Sequence, residues 1–367
     1  METRIKKINV KSFRGLLNLE LNNLNRINVL VGDNNSGKTS FLETIKLISN
    51  PTINNALMMT TTRIKQLRAG TFFTEFSNML PKDKENSGIN ITCDFTSGNS
   101  LRYSLNGNII QTIINPQELN IFSKQFGMNQ VLNINQFNGK ISYDFYNAAT
   151  QKSNRIEKDI RLNPLNAGQY TVKKEKDELM KVVYISPVDY AGINHLFGKI
   201  VKNETYKKIV IEALKMFDPN IEDVLYVPDD FMEPIECVKN SKIGIIPLSC
   251  YGDGVKKMLS IAGGIAAANK GILLIDEFET AIHIKNYDNV FNFIDKACKK
   301  FDVQLFITTH SIEAVDELLK IDSLVDNSDI NFITLRKDYE SNKTVSRTLS
   351  AKEVRENREN FDFEVRI

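Results

Sequence analysis

The chain has 367 residues, 42% hydrophobic and 25% charged, the balance of a folded globular protein with a sizeable core. A formal net charge of +2 gives no strong overall field, so only a local basic face could serve nucleic-acid binding. Cys93, Cys237, Cys250 and Cys298 show no CxxC spacing, which argues against a structural zinc site or a disulfide framework and for a reducing, cytoplasmic setting. No stretch nears the roughly 20 apolar residues of a membrane span, so no membrane role is expected.

Leu17, Leu19 and Leu21 alternate with Asn18, Glu20 and Asn22, downstream of Ile5, Ile8 and Val10, which predicts an antiparallel opening pair. "RINVLVG" reads as a buried strand and "SFLETIKLIS" as a helix stopped before Pro51. From Thr52 to Lys181 the short strand-like runs "INITCDF", "LRYSL" and "KISYDFY" are separated by Asn, Gly and Lys, with no heptad pattern for a coiled-coil arm. "VVYISP" is a short strand ended by Pro187. Tyr206, Ile209, Val210, Ala213, Leu214 and Phe217 repeat at helical spacing, and "EPIECVKNSKIGIIP" reads as a hairpin turning at Asn240-Ser241. A helix after Gly254 leads into the strand "GILLIDE"; another helix precedes the buried strand "VQLFITTH".

Three of these junctions carry chemistry. "GDNNSGKT" spaces Gly32, Asp33, Asn34, Asn35, Ser36, Gly37, Lys38 and Thr39 as a phosphate loop does, between a predicted strand and a predicted helix that continues with Ser40. Backbone N–H groups from Asn34 to Thr39 would wrap a β-phosphate at the helix N-terminus, Lys38 would reach the β- and γ-oxygens, and the Thr39 hydroxyl would ligate Mg2+. Asp276 and Glu277 leave the end of a buried strand, where open α/β sheets bind ligands; Asp276 is expected to hold the metal, through water, and Glu277 to take a proton from an attacking water. His310 ends the neighbouring strand, where a neutral imidazole could donate to the γ-phosphate. ATP and Mg2+ are the expected cofactors.

Together these residues resemble the ABC-type ATPases, in the branch that holds SMC, RecF and the OLD (overcoming lysogenization defect) proteins. "IKKINVKSFRGLLNLEL" with "INVLVGDNNSGKTSFLETI" is similar to the start of that branch, "LLIDEFETAIH" to its acidic strand and loop, with Glu279 and His283 matching the loop, and "ITTHS" to its histidine switch. The likeness is greatest to stand-alone OLD-like ATPases of phage-defence loci. It implies an α/β fold, a P-loop NTPase of the ABC-type head form with an antiparallel β subdomain and a helical subdomain. The whole chain, 1–367, would be one head: 1–187 and 270–367 a nucleotide-binding lobe, 52–181 a β-rich insertion within it, and 188–269 a helical, signature-bearing lobe.

The resemblance also implies that two heads sandwich two nucleotides, so that a glycine-rich helix tip completes the site of the opposite copy. "LSCYGDG" stands where that signature would, with Ser249, Gly252 and Gly254 facing the partner's γ-phosphate and Asp253 lying among them as a candidate nucleotide-binding residue. Cys250-Tyr251 and the acidic Asp253 depart from the Leu-Ser-Gly-Gly-Gln form, and Asp253 suits a helix cap turned away from the phosphate. Arg14 in "SFRG" matches an arginine near phosphate in some relatives and equally suits an exposed strand end. Gln66 is the candidate for the magnesium-sensing glutamine.

Two functions follow. One is an ATP-dependent homodimer or higher oligomer that regulates a separate effector such as a nuclease or toxin in anti-phage defence. The other is a RecF-like DNA clamp in repair, with "TVKKEKDELMK" and "GVKKM" supplying phosphate contacts. The 57 residues after His310 hold no convincing glutamate with an Asp-x-Asp cluster, so nuclease activity of the chain itself is not expected. The altered signature and antiparallel opening disfavour a transporter engine, and a small-molecule kinase has little need of a glycine signature with a histidine switch.

Overall fold

The computed structural model describes residues 4–52, 71–81, 88–114, 132–166, 179–187, 192–321, 325, 329–338, 340–341 and 343–361. Gln66 and most of the lysine run "TVKKEKDELMK" lie outside these residues.

The central layer is a six-stranded sheet whose order is set by the buried apolar runs of the sequence. Strands β3 (Ile27–Val31), β8 (Val182–Ile185), β12 (Ile272–Ile275), β13 (Gln304–Thr309) and β14 (Ile330–Asp338) run parallel, and β15 (Lys343–Ser350) closes one edge antiparallel, in the order β15-β14-β3-β13-β12-β8. Every residue of β3, β12 and β13 is buried, as expected for parallel strands covered on both faces. Their alternation divides the core in two. Val29, Val31, Leu273, Ile275, Leu305 and Ile307 join a helical cluster on one face; Leu30, Leu274 and Phe306 join a β-rich cluster on the other.

The β-rich side packs helix α1 (Lys38–Ser49) and helix α2 (Thr71–Ser77) against an antiparallel sheet of β1 (Ile5–Phe13), β2 (Leu16–Leu21), β4 (Gly88–Phe95), β5 (Ser100–Ile114), β6 (Leu132–Asn147) and β7 (Lys152–Leu162), ordered β2-β1-β4-β5-β6-β7. The opening pair thus forms one end of the sheet that the middle of the chain completes. β5 and β6 run to 15 and 16 residues, far beyond the short runs expected. The reason lies in Gly107 and Gly139, which the sequence suggests are breaks. They pair across the ladder, and the Phe137 ring covers both so closely that a Cβ on either would lie within 2.7 Å of it. β7 went unrecognised because its exposed residues are mostly polar or charged.

The helical side holds α3 (Gly192–Val201), α4 (Glu204–Leu214), α5 (Asp253–Ala267), α6 (Tyr287–Phe301) and α7 (Ile312–Leu319), with a small sheet β9 (Ile221–Pro228), β10 (Pro234–Asn240) and β11 (Gly244–Pro247) before α5. The expected hairpin is β10–β11, with Asn240 paired to Gly244. In α5, a Cβ on Gly263 would lie 2.6 Å from Ile200 of α3, so the small residues of "SIAGGIAAA" let the helices meet closely. A terminal helix α8 (Ala351–Phe361) follows β15. Among the described residues no helix is long and apolar enough to cross a membrane.

Gln304 at the start of β13 ties the two sheets together. Its fully buried amide accepts from the Ile5 N–H at 2.7 Å and donates to the carbonyls of Ile5 and Asn25 at 2.8 and 2.9 Å. Replacing it by an isosteric apolar group leaves the Ile5 N–H buried without that acceptor. Gln304→Leu is therefore expected to cost about 1–3 kcal/mol of stability, read as a lowered midpoint in chemical denaturation at unchanged slope.

Candidate functional site

The loop between β3 and α1 is shaped by two glycines with separate causes. A Cβ on Gly32 would lie 2.4 Å from the Leu335 carbonyl oxygen, so only glycine lets the loop leave the sheet there. Gly37 caps α1 at φ 101°, a left-handed conformation that favours glycine. No side chain caps α1 and its first turn carries no acid, so its N–H groups and positive dipole end remain available to an anion. Lys38 Nζ donates to the carbonyls of Gly32 at 2.6 Å and Asp33 at 2.8 Å. Burial pushes this ammonium below its ordinary pKa, while Asp276, Glu279, Asp33 and Glu277 pull it back up.

Beside the loop lies a cleft of about 260 Å³, with residues 34–40 along one wall and Asp276, Glu277, Thr308 and His310 along the other. β13 separates β3 from β12 and brings His310 between the loop and the acids. Asp276, 4% exposed, is held by three hydroxyls: Thr308 Oγ1 donates to Oδ1 at 2.6 Å, Thr39 Oγ1 to the same oxygen at 3.2 Å, and Tyr184 OH to Oδ2 at 3.1 Å. The Thr39 hydroxyl and the Asp276 carboxylate thus form a pair of hard oxygen donors at the cleft. Among the described residues no three His, Cys, Asp or Glu groups gather to cage an ion. That donor set fits Mg2+, which takes few protein ligands and completes its shell with water and phosphate.

Glu277 follows at φ 48°, an uncommon conformation for a residue with a side chain, and its N–H donates to Thr308 Oγ1 at 2.9 Å. One hydroxyl therefore fixes both acids. His310 Nδ1 lies 3.0 Å from Glu279 Oε1, which also accepts the His310 backbone N–H at 2.9 Å. This alters the expected role of the imidazole. With its Nδ1 proton directed at Glu279, the neutral ring presents Nε2 as an acceptor, and only the imidazolium can donate from that atom.

Among the described residues the other candidates lie outside this cleft. Arg14 does not line the cleft; its Nε lies 2.8 Å from Glu43 Oε2 of α1 in an ion pair 9% and 1% exposed, so it is not a solvated strand end. His283 caps a short turn, accepting from Lys285 N–H. Ser249, Gly252, Asp253 and Gly254 do not line this chain's own cleft. Asp253 is not the cap of α5: Gly252 is, and Asp253 opens the first turn, with Lys256 Nζ 3.4 Å from its carboxylate. Ser249, Gly252 and Asp253 are exposed. Among the described residues nothing lies within 4 Å of where a Cβ of Gly252 would be, whereas one on Gly254 would meet Ala281 O at 3.2 Å and the Phe217 ring at 3.3 Å. Gly254 thus has a packing reason inside its own chain, and among the described residues Gly252 has none.

Sequence reasoning missed Tyr184, Thr308 and Lys257. A tyrosine in an apolar parallel strand and a threonine in the otherwise apolar "LFIT" are the signals, since each buried hydroxyl needs a partner. Lys257, read as a surface phosphate contact, is fully buried with Nζ 3.3 Å from the Glu277 carbonyl oxygen; burial pushes its pKa down to about 8, with Glu279, Asp276 and Glu277 opposing. Thr308→Val keeps shape while removing the bonds to both acids. It is expected to lower Mg2+-dependent ATP turnover about 10–100-fold and, by leaving the Glu277 N–H and one Asp276 oxygen without this partner, to cost about 1–3 kcal/mol of stability, measured by phosphate release and chemical denaturation.

The family model described as "AAA domain, putative AbiEii toxin, Type IV TA system" matches residues 27–316, a span holding the loop, both acids and His310. A Helicobacter pylori (strain ATCC 700392 / 26695) protein described as "ATP/GTP phosphatase" is 25% identical over 342 residues, covering 86% of this chain and 88% of that one. Uncharacterized protein MJECL11 of Methanocaldococcus jannaschii is 34% identical over 115 residues, 31% of this chain and 98% of its own. Among solved structures, an SMC head bound to the C-winged helix domain of ScpA aligns with TM-score 0.47 at 13% identity, covering 96% of this chain and 99% of that one. By the extent of the family match, the chain belongs to the family described as "AAA domain, putative AbiEii toxin, Type IV TA system".

Proposed function

We propose that the chain binds ATP with Mg2+ in the cleft beside α1 and hydrolyses it, and that two copies face each other so that the α5 tip of one completes the cleft of the other. The observation that carries the reading is the meeting of Thr39 with Asp276, 3.2 Å apart, in a cleft that Lys38, Glu277 and His310 also border. Loop N–H groups and the Lys38 ammonium hold the β- and γ-phosphates. Thr39 and Asp276 would hold the metal, which when bound would supply charge neutralisation at the phosphates. Glu277 accepts a proton as water attacks the γ-phosphorus; the bond to the bridging oxygen breaks, releasing ADP and phosphate. The phosphatase description of the Helicobacter relative supports this chemistry.

The exposed, uncrowded Gly252 supports the two-copy reading. A tip glycine with nothing among the described residues within 4 Å of where its Cβ would lie suits close approach by something outside the chain. ATP contacted from both copies then differentiates closed from open pairs, and that motion would regulate a separate effector in anti-phage defence. The toxin and toxin–antitoxin wording of the family supports a defence setting. The DNA clamp has less behind it: Lys257 is buried and Lys256 is engaged with Asp253.

Glu277→Gln is expected to bind ATP without turning it over, and so to shift from monomer to dimer mass on adding Mg-ATP; persistence as a monomer contradicts the paired arrangement. Lys38→Ala should lose ATP binding at concentrations that saturate the parent, and near-parental affinity would remove the loop assignment. Gly252→Leu should keep the parental melting temperature and lose ATP-dependent dimerisation, read by light scattering.

A further inference from the structure

We propose that Lys257 is a positioning residue for Glu277, through which the exposed tip of α5 sets the backbone of the catalytic base. The inference rests on the reading of Glu277 given above. Lys257 stands four residues beyond Asp253, one helical turn below the tip, and its side chain is wholly buried. A buried ammonium is costly, and a position that needed only volume would be filled more favourably by methionine or leucine. Among the described residues Lys257 forms no ion pair with a carboxylate. Its directed contact is Nζ to the Glu277 carbonyl oxygen at 3.3 Å.

That oxygen belongs to a conformationally unusual segment. Glu277 at φ 48° and Ala281 at φ 68° are both left-handed residues with side chains, four positions apart, and such conformations persist only where the surroundings enforce them. Thr308 receives the N–H of Glu277 at 2.9 Å, and the Glu277 carbonyl takes the Thr280 N–H at 3.2 Å as well as the lysine. At the far end, Ala281 O lies against Gly254 in the first turn of α5. The helix therefore touches the segment at both left-handed residues. Displacement of the first turn of α5, as when its tip seats against a second copy, displaces the Glu277 peptide and with it the carboxylate in the cleft.

The test uses the full chain and compares Lys257→Met, Lys257→Gln, Glu277→Gln and the double variant Lys257→Met/Glu277→Gln. Lys257→Met should melt no lower than the parent, bind ATP and dimerise with about parental affinity, and lose about 10–100-fold in kcat. Lys257→Gln, which keeps a neutral donor, should fall between Met and the parent in kcat at the same ATP affinity. It carries the test alone if the methionine variant does not fold. In the double variant the lysine change should add no further loss, because both act on one step. Parental kcat in Lys257→Met beside an inactive Glu277→Gln overturns the inference alone, as does a kcat loss that tracks a lowered melting temperature and weakened ATP binding. Parental turnover in Glu277→Gln overturns the base assignment and this inference together.

Discussion

The site depends on holding one carboxylate in place and aimed inside a largely buried corner of the sheet. Asp276 is 4% exposed, and three hydroxyls from three elements, Thr39 of α1, Thr308 of β13 and Tyr184 of β8, converge on it. Hydrogen bonds of this kind compensate the loss of water around a charge and fix where it points. They also place β8, β12, β13 and α1 relative to one another, since each hydroxyl reaches across a different boundary. The remainder of the cleft inherits that frame: Thr308 sets Glu277 through its N–H, and the strand that carries Thr308 delivers His310.

Much of this was legible from the order of residue types. Gly32, Gly37, Lys38 and Thr39 announced a phosphate loop because its backbone path needs glycine where it crowds the sheet and reverses hand, and that need leaves a fixed spacing. Asp276 and Glu277 were legible because charge directly after "ILLI" has to sit at a strand end. The helix over Asn203 to Phe217 showed its period, and Asn203 caps it through N–H groups of Thr205 and Tyr206. What escaped notice depends on tertiary neighbours. Nothing local distinguishes a lysine buried beneath the acids from one in water, so Lys257 looked like its neighbour Lys256. Arg14 was misplaced for the same reason: its partner Glu43 lies on a helix 29 positions further along. Gly107 and Gly139 look like breaks until Phe137 is seen lying over both.

The same structure separates residues that a motif lumps together. Within "CYGDG", Gly254 is accounted for by Phe217 and Ala281 of its own chain, while Gly252 stands in open space at an exposed helix start. If the tip serves a second copy, selection for the absence of a side chain falls on Gly252, and Gly254 keeps α5 seated on the segment that carries Glu277. Tip, helix and base then form one mechanical unit, with Lys257 as the inner contact and Gly254 as the outer one.

The most direct test of a site built from two copies is complementation between two inactive chains. Lys38→Ala retains an intact tip but lacks a working cleft; Gly252→Leu retains an intact cleft but lacks a working tip. Mixed together, they can form one complete site across the pair, so ATP turnover absent from either alone should appear in the mixture and peak near equal amounts. Parental turnover by Gly252→Leu on its own, or a mixture as inactive as its parts, would contradict a site built from two copies.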